Sequence, residues 1–233
     1  VQMGIKKMLE AIFESDFLDE PFGFRPNRGC HQALDVLDKT VMTRPVNRVV
    51  DMDIKEFFDT IDHKWLMKCV RQRIKDASLL RLIVRFLKAG IMEEGKFIQT
   101  DKGTPQGGVL SPLLANIYLH YILDLWFEKK VKKRLRGFAQ LIRYADDFVV
   151  LFQSGKEAEA FGERLKQRLG KFGLSTAEGK SGIMEFGRLV WQKAQKEGKR
   201  MATFDFLGFT HYGDKTRKGK FRLGRKTASI KFR

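Results

Sequence analysis

The chain has 233 residues, of which 43% are hydrophobic, so it can bury a sizeable core and is not a disordered composition. Lys and Arg number 45 against 28 Asp and Glu, and the resulting net charge of +17 favours a polyanionic partner. The two cysteines, Cys30 and Cys69, form no metal-ligand spacing and indicate a reducing compartment.

Apolar side chains that recur about every 3.6 residues predict a succession of amphipathic helices. In chain order these helices span residues 3–14, 30–43, 62–74, 77–89 and 156–172. Asp62 is predicted to cap the third helix, because a carboxylate at the N-cap accepts hydrogen bonds from free backbone amides. The loop between the first two helices, residues 19–29, is rich in glycine, proline and arginine.

Residues 47–54 alternate in character and predict a strand. One face would carry Val49, Asp51 and Asp53, and the opposite face Val50, Met52 and Ile54. Two acids on one face of a short strand indicate that this face borders a functional cleft. Further short strands are predicted at 97–100 and 204–209. The mixture of helices and strands predicts an α+β fold, with a small, largely antiparallel sheet that has helices on one face.

A long helix is predicted after the glycine-rich loop 103–108, with Ser111 as its N-cap and Pro112 as its first residue. The apolar run 109–127 approaches the length of a membrane span, but polar residues such as Asp124 interrupt it, so we predict a buried core helix. Glycines in the loop allow backbone amides to approach an anion, which makes the loop a candidate phosphate cradle.

The segment Tyr144-Ala145-Asp146-Asp147 lies between apolar stretches that predict a hairpin. Two adjacent carboxylates at its tip repel each other unless a cation binds them, and Mg²⁺ prefers such hard oxygen ligands. Together with Asp53 they would form a metal site for phosphoryl transfer if the two strands are neighbours. An ordinary turn with solvated carboxylates is the alternative, and the four scattered histidines form no nucleophile–base pair.

Six segments, in this order, resemble the reverse transcriptase domain of group II intron-encoded proteins, the intron maturases. They are Gly23–Gly29 (GFRPNRG), Val50–His63 (VDMDIKEFFDTIDH), Gly103–Asn116 (GTPQGGVLSPLLAN), Arg143–Asp147 (RYADD), Glu178–Lys180 (EGK) and Phe204–Phe209 (FDFLGF). These segments span nearly the whole chain.

The resemblance implies an α+β right-hand polymerase with fingers and palm, a mostly antiparallel palm sheet packed on helices, and no thumb. The implied divisions are partial fingers at 1–48, a palm strand and turn at 49–62, fingers and palm helices at 63–102, palm at 103–212, and a basic segment at 213–233. The family's Arg-Pro-Leu-Gly-Ile-Pro block, which precedes the first helix, is not present. We therefore expect a fragment of a longer protein.

The resemblance also implies an RNA-directed DNA polymerase that adds a dNTP to a primer 3′-hydroxyl with two Mg²⁺ ions, for which Mn²⁺ can substitute. Asp53, Asp146 and Asp147 would be the catalytic metal ligands. Nucleotide contacts are implied for Ile54, Phe58, Gln106 and Lys180, where Phe58 would exclude ribose. Nucleic-acid contacts are implied for Arg25, Arg28, Tyr144, Lys218, Lys220 and Arg222.

The implied partners are an RNA template, intron RNA, a DNA primer and dNTPs, without a membrane, and a homodimer stays open. The implied location is the bacterial cytoplasm, near the nucleoid. Two alternatives remain: an RNA-binding splicing maturase with little polymerase activity, and a related CRISPR-associated reverse transcriptase. Core packing is the alternative role for Phe58, because Phe57 lies beside it.

Overall fold

The computed structural model describes residues 1–88, 91–93, 96–98, 101–104, 108–177 and 182–229. The helices are α1 Gln2–Phe13, α2 Cys30–Thr43, α3 Phe57–Thr60, α4 His63–Val70, α5 Ala77–Lys88, α6 Ser111–Leu119, α7 Gly155–Gly170 and α8 Arg188–Lys196. The strands are β1 Arg48–Asp51, β2 Ile91–Glu93, β3 Lys96–Ile98, β4 Ala139–Tyr144, β5 Asp147–Phe152, β6 Gly182–Glu185, β7 Phe204–Phe206, β8 Phe209–Lys215 and β9 Phe221–Thr227. The predicted α+β class is confirmed.

Helix starts follow the predicted capping chemistry at one position and depart from it at another. The Asp62 carboxylate accepts a 2.9 Å hydrogen bond from the Trp65 amide, which confirms it as the N-cap of α4. Ser111 is the first residue of α6 and not its cap, because Leu110 occupies the cap position and makes no side-chain capping bond. The adjacent Pro112 in the first turn starts this helix without a capping hydroxyl.

The central sheet has four strands in the order β4-β5-β1-β6, and every neighbouring pair is antiparallel. Asp51 at the end of β1 pairs with Val149 in β5 and with Gly182 in β6. Because β1 and β5 run in opposite directions, the end of β1 lies beside the start of β5. Asp53 and Asp147 therefore belong to the same end of the sheet.

Both faces of this sheet are covered, whereas we expected helices on one face only. Phe148, Val150 and Phe152 of β5 point into a core formed with α1, α4, α6 and α7. Val149 and Leu151 point into a second core, which α2, α8 and the sheet β7-β8-β9 complete. A strand that is apolar at every position needs cover on both sides, since neither set of side chains tolerates water.

The predicted alternation of β1 is confirmed, and it separates the acids from the core. Val50, Met52 and Ile54 lie in the first core. Val49 lies in the second. The carboxylates of Asp51 and Asp53 instead line an open cleft beyond the end of the strand.

The helix that begins with α6 continues beyond Leu119 through two π-helical turns, at His120–Asp124 and Phe127–Val131. Its side chains from Leu113 to Leu119 are all buried, which confirms the prediction of a core helix. Across the residues that the structure describes, no helix is both long enough and apolar enough for a membrane crossing.

Candidate active site

The acidic turn, residues 144–147, connects β4 to β5 with only Ala145 and Asp146 between the strands. Tyr144 and Asp147 face each other as the last pair of the ladder. Ala145 has a φ of 56°, in the left-handed region that residues other than glycine rarely adopt. A strained residue at this point requires support from the surrounding structure.

Arg143 supplies part of this support from inside the protein. Its side chain is fully buried and donates two hydrogen bonds to the Asp124 carboxylate, at 2.8 and 2.6 Å. It donates a third to Asn116 Oδ1 at 2.9 Å and a fourth to the Ala145 carbonyl at 2.8 Å. One guanidinium therefore ties the acidic turn to the π-helical part of the long helix through charge-assisted hydrogen bonds.

The loop that precedes α2 also packs directly on the acidic turn. Phe22 donates its amide to the Arg143 carbonyl at 2.8 Å, and Asn116 Nδ2 donates to the Gly23 carbonyl at 2.6 Å. A Cβ atom at Gly23 would lie 2.4 Å from the Ala145 nitrogen, so only glycine fits at this position. Two of the sequence motifs, far apart in the chain, thus form one unit.

Two of the three predicted metal ligands, Asp53 and Asp147, line a cleft with a volume of about 610 Å³, whereas Asp146 is not among the residues that line it. Its lining includes Asp51, Asp53 and Asp147 together with the segment 203–208. Burial, together with the negative charges of Asp147, Asp205 and Asp53 in that order, raises the pKa of Asp51 to about 7. The free energy needed to ionise these groups together indicates a site prepared for positive charge.

Both acids of the turn are affected in the same way. Burial raises the pKa of Asp146, and the charge of Asp53 adds to the effect while Arg143 opposes it. Burial, with smaller contributions from the charges of Asp146 and Asp53, raises the pKa of Asp147 to about 6. Asp53 therefore acts electrostatically on both acids, although it lies 93 positions before the nearer of them in the sequence.

Asp147 also holds the turn between β7 and β8. Its Oδ2 atom accepts a 3.0 Å hydrogen bond from the Leu207 amide, which lowers its pKa against the effect of burial. Leu207 and Gly208 have φ angles of 52° and 76°, and both form the tight connection between these strands. The carboxylate thus has a structural partner as well as its place in the cleft.

The donor chemistry of the cleft fits divalent cations, because Mg²⁺ prefers carboxylate oxygens and completes its shell with water and substrate phosphates. Among residues 1–88, 101–104, 108–177 and 182–229, no three His, Cys, Asp or Glu side chains already converge as ligands.

The residues predicted to contact the nucleotide lie in different environments. Phe58 is half-buried, and its ring meets Phe57 edge-on at 5.4 Å and packs against the first core. The side chain of Ile54 is buried in the core, which leaves only its backbone for a ligand. Gln106 and Lys180 lie outside the described residues.

The two arginines predicted to contact nucleic acid hold their own loop together. Arg25 is buried and bonds the Glu14 carboxylate at 2.6 Å as well as the carbonyls of Leu18 and Pro21. Arg28 donates 2.6 Å and 3.1 Å hydrogen bonds to Asp19. The contacts of these two arginines with nucleic acid stay predictions.

The remaining predicted contacts are accessible. Tyr144 is half-buried at the edge of the acidic turn. Lys218 and Lys220 are exposed at the tip of the β8–β9 hairpin. Arg222 is exposed on β9 and forms a 2.6 Å ion pair with Asp214. Sequence reasoning did not identify the roles of Arg143 and Asp124, although an arginine inside an otherwise apolar strand is a usable signal.

Comparisons with known proteins agree with this geometry. The profile of the reverse transcriptase (RNA-dependent DNA polymerase) family matches residues 1–211. The group II intron-encoded protein LtrA of Lactococcus lactis subsp. cremoris is 43% identical over 132 residues, which cover 57% of this chain and 22% of that protein. YkfC of Escherichia coli K12 is 35% identical over 195 residues, which cover 71% of this chain and 51% of that protein.

Solved structures with the same fold include telomerases. A Candida albicans telomerase in complex with a fragment of telomeric RNA has a TM-score of 0.70 at 12% identity, and the match covers 98% of this chain and 38% of that one. An apo telomerase from Candida tropicalis has a TM-score of 0.67 at 13% identity over 100% of this chain and 41% of that one. The predicted fingers and palm fold is thereby confirmed. The sequence relatives include group II intron-encoded proteins, and the chain belongs to the reverse transcriptase family.

Proposed function

We propose that this chain carries the polymerase centre of a group II intron-encoded reverse transcriptase, which adds dNTPs to a primer 3′-hydroxyl on an RNA template. One observation carries the proposal: Asp53 and the acidic turn lie at the same end of an antiparallel sheet, where the charge of Asp53 helps to raise the pKa values of Asp146 and Asp147. Because the chain spans 22% and 51% of the two relatives above, the activity of the whole protein belongs to this proposal.

Catalysis in this family depends on divalent metal ions, and we assign them to Asp53, Asp146 and Asp147 as two Mg²⁺, with Mn²⁺ as a substitute. When bound, the ions would supply charge neutralisation for the phosphates and for the attacking and leaving oxygens. The raised pKa values of Asp146 and Asp147 support this assignment, because a cation would remove the repulsion that raises them.

The protein's own contribution is to position these groups. Arg143 holds the Ala145 carbonyl and thereby the backbone of the acidic turn. Phe58 presents a half-buried ring where a deoxyribose would lie, and we assign it the exclusion of a 2′-hydroxyl. Gln106 and Lys180 complete the proposed nucleotide contacts from the family resemblance alone. Positioning of this kind accounts for much of the catalysis of phosphoryl transfer.

RNA binding is the second part of the proposal. The net charge of +17 supports contacts with an RNA backbone. We assign these contacts to Lys218, Lys220 and the basic segment 128–136 (EKKVKKRLR), which holds six Lys and Arg residues. The relatives include proteins named as intron-encoded proteins, and this supports intron RNA as a further ligand, with a role in splicing. The DNA primer and the dNTPs follow from the proposed reaction.

Primer extension on an RNA template with Mg²⁺ tests the polymerase. Because the chain spans only 22% and 51% of LtrA and YkfC, the assay uses it within the full-length protein, and the fragment alone can be inactive. We expect the full-length parent to extend the primer and Asp146→Asn to lower the rate on the order of 10³-fold, since a neutral amide cannot replace the metal ligand. The matched control is Asp35→Asn, the same change at an exposed position of α2, which should leave the rate unchanged.

Metal binding has a separate readout in the thermal unfolding midpoint. Mg²⁺ should raise the midpoint of the parent chain more than that of Asp146→Asn, because a ligand that binds only the folded state stabilises it. A full-length parent that binds RNA, extends no primer and shows no Mg²⁺ effect would contradict the polymerase and favour the splicing role alone.

A further inference from the structure

Phe24 exposes an aromatic ring at the edge of the proposed active site. The side chain is 48% exposed, although it follows the buried Phe22 and Gly23 in a tightly packed loop. Its ring centroid lies 6.3 Å from that of Tyr144, the first residue of the acidic turn. None of the roles assigned above uses this ring.

The loop holds the ring in place from both sides. Before Phe24, the Phe22 amide and the Gly23 carbonyl bond to Arg143 and Asn116 at 2.8 and 2.6 Å. After it, the buried Arg25 bonds to Glu14 and to two carbonyls of the same loop. The exposure of Phe24 is therefore imposed by a backbone that is anchored at neighbouring residues, and it does not result from a loose loop.

The backbone of Phe24 is itself strained. Its φ is 55°, and a bulky residue in the left-handed region is an outlier whose cost the surroundings must offset. Glycine would adopt this conformation more easily and would avoid an exposed apolar ring. A residue that is unfavourable both in its backbone and in its exposure indicates a contact with something outside this chain.

We propose that Phe24 packs against the nucleosides of a primer–template duplex, at the base pairs next to the reacting end. This inference rests on the proposed function. The ring lies beside Tyr144, and Tyr144 pairs with Asp147 in the ladder, so a 3′-hydroxyl at the carboxylates places the terminal base pairs next to Phe24. Aromatic side chains bind nucleosides through their apolar faces and do so with little dependence on sequence.

The test uses the 233-residue chain, without dNTPs, and an RNA–DNA duplex that carries 2-aminopurine at the primer 3′ end. We expect binding of the parent to change the fluorescence, and Phe24→Ala to lose most of that change and to bind about tenfold more weakly. Phe24→Tyr should behave as the parent does. Leu189→Ala, which removes a 57% exposed side chain on α8, is the matched control and should change neither quantity.

Phe24→Gly separates binding from folding. It relieves the left-handed φ, so its unfolding midpoint should equal or exceed that of the parent while its duplex binding falls as in Phe24→Ala. Parent-like fluorescence and affinity in both variants would overturn the contact. A fluorescence change that persists with 2-aminopurine placed ten base pairs from the end would also overturn it. A parent chain that binds no duplex would reject the proposed function together with this contact.

Discussion

At the scale of single residues, the most consequential pair is Arg143 and Asp124. Both side chains are buried, with exposures of 0% and 1%, and they share two hydrogen bonds. Removing a charge pair of this kind from water is costly, so its presence is weak grounds for stability as such. Its fourth bond, to the Ala145 carbonyl, gives the pair a second role, because it holds the backbone of the acidic turn.

Arg143→Met is expected to destabilise the fold by about 3–5 kcal/mol, because it leaves the Asp124 carboxylate buried without its partner. The double variant Arg143→Met/Asp124→Leu should recover much of this loss, since no charge then remains in the core. Urea unfolding measures both. The control is Lys132→Met, whose partner Glu128 is 40% exposed, and it should cost less than about 1 kcal/mol.

The recovered double variant also tests the positioning role. Its Ala145 carbonyl lacks the guanidinium donor, so we expect kcat to stay low while KM for the dNTP changes little. Restored stability together with parental kcat would show that Arg143 serves folding alone.

His211 is a second residue whose burial has a measurable consequence. It is fully buried and stacks on Phe204 at 4.9 Å. Burial, with a smaller contribution from the charge of Arg225, lowers its pKa from 6.5 to about 4 against the opposing charge of Asp205. The unfolded chain therefore gains a proton below pH 6.5 that the folded chain takes up only near pH 4. The stabilisation present above pH 6.5 is lost as the pH falls towards 4.

His211→Phe should remove this pH dependence. The parent is expected to lose on the order of 2 kcal/mol of unfolding free energy from this residue between pH 7 and pH 4.5, and the variant should lose correspondingly less. Urea unfolding at the two pH values provides the comparison. The exposed His31 supplies the control variant His31→Gln, and equal pH dependence in all three proteins would contradict the assignment.

At the scale of secondary-structure elements, the β4–β5 hairpin combines a strained turn with two of the proposed metal-binding carboxylates. Its connection has only two residues, and the first of them, Ala145, takes a φ of 56°. Three elements compensate: the loop before α2 packs on the turn, the long helix supplies Asn116 and Asp124, and the β7–β8 turn bonds Asp147. The shape of the hairpin therefore depends on its neighbours.

Ala145→Gly is expected to stabilise the protein by about 0.5–1 kcal/mol, because glycine adopts a positive φ without the steric cost of a Cβ atom. The same substitution at the exposed Ala160 of α7 should destabilise by a similar amount, since glycine disfavours a helix interior. The opposite signs of the two changes in urea unfolding form the test. A loss of stability in both would mean that the left-handed φ carries no cost here.

At the scale of the whole molecule, the positive side chains in the core are matched by carboxylates, so the excess of positive charge lies elsewhere. Of the basic side chains discussed, Arg143 and Arg25 are buried and paired. Lys218 and Lys220 are instead exposed at the end of the β8–β9 hairpin. The surface charge therefore remains available for a polyanion, and binding to RNA should weaken steeply as salt increases.

Lys218→Ala/Lys220→Ala should reduce the slope of log K against log salt by about 1.5 for RNA binding, as expected for two lost phosphate contacts. Arg222→Ala is a graded comparison and should have a smaller effect, because Asp214 already neutralises this guanidinium at 2.6 Å. Binding measured across a salt series decides the matter. An unchanged slope in the double variant would remove the hairpin from the RNA surface.

Much of the fold was predictable because its signals are local. The helix periods place α2 at the predicted residues 30–43, and the alternation of β1 separates Val50 and Met52 from the acids. The pairing of strands was harder to predict, because partners such as Asp51 and Val149 are distant in the chain. The second face of the sheet is covered by α2, α8 and the sheet β7-β8-β9, which are distant from one another in the sequence, so no local pattern predicts this packing.

The sequence by itself determined the family, the acidic turn and the separate position of Asp53, since each rests on residue types in a fixed order. Only the tertiary structure decided what surrounds them. Burial and the charges of neighbouring acids raise the pKa values of Asp146 and Asp147. Hydrogen bonds to Asp124 and Asn116 of a distant helix hold the Arg143 side chain beside the turn. The same packing leaves the ring of Phe24 exposed beside Tyr144. These properties depend on distance in space, which the order of residues does not specify.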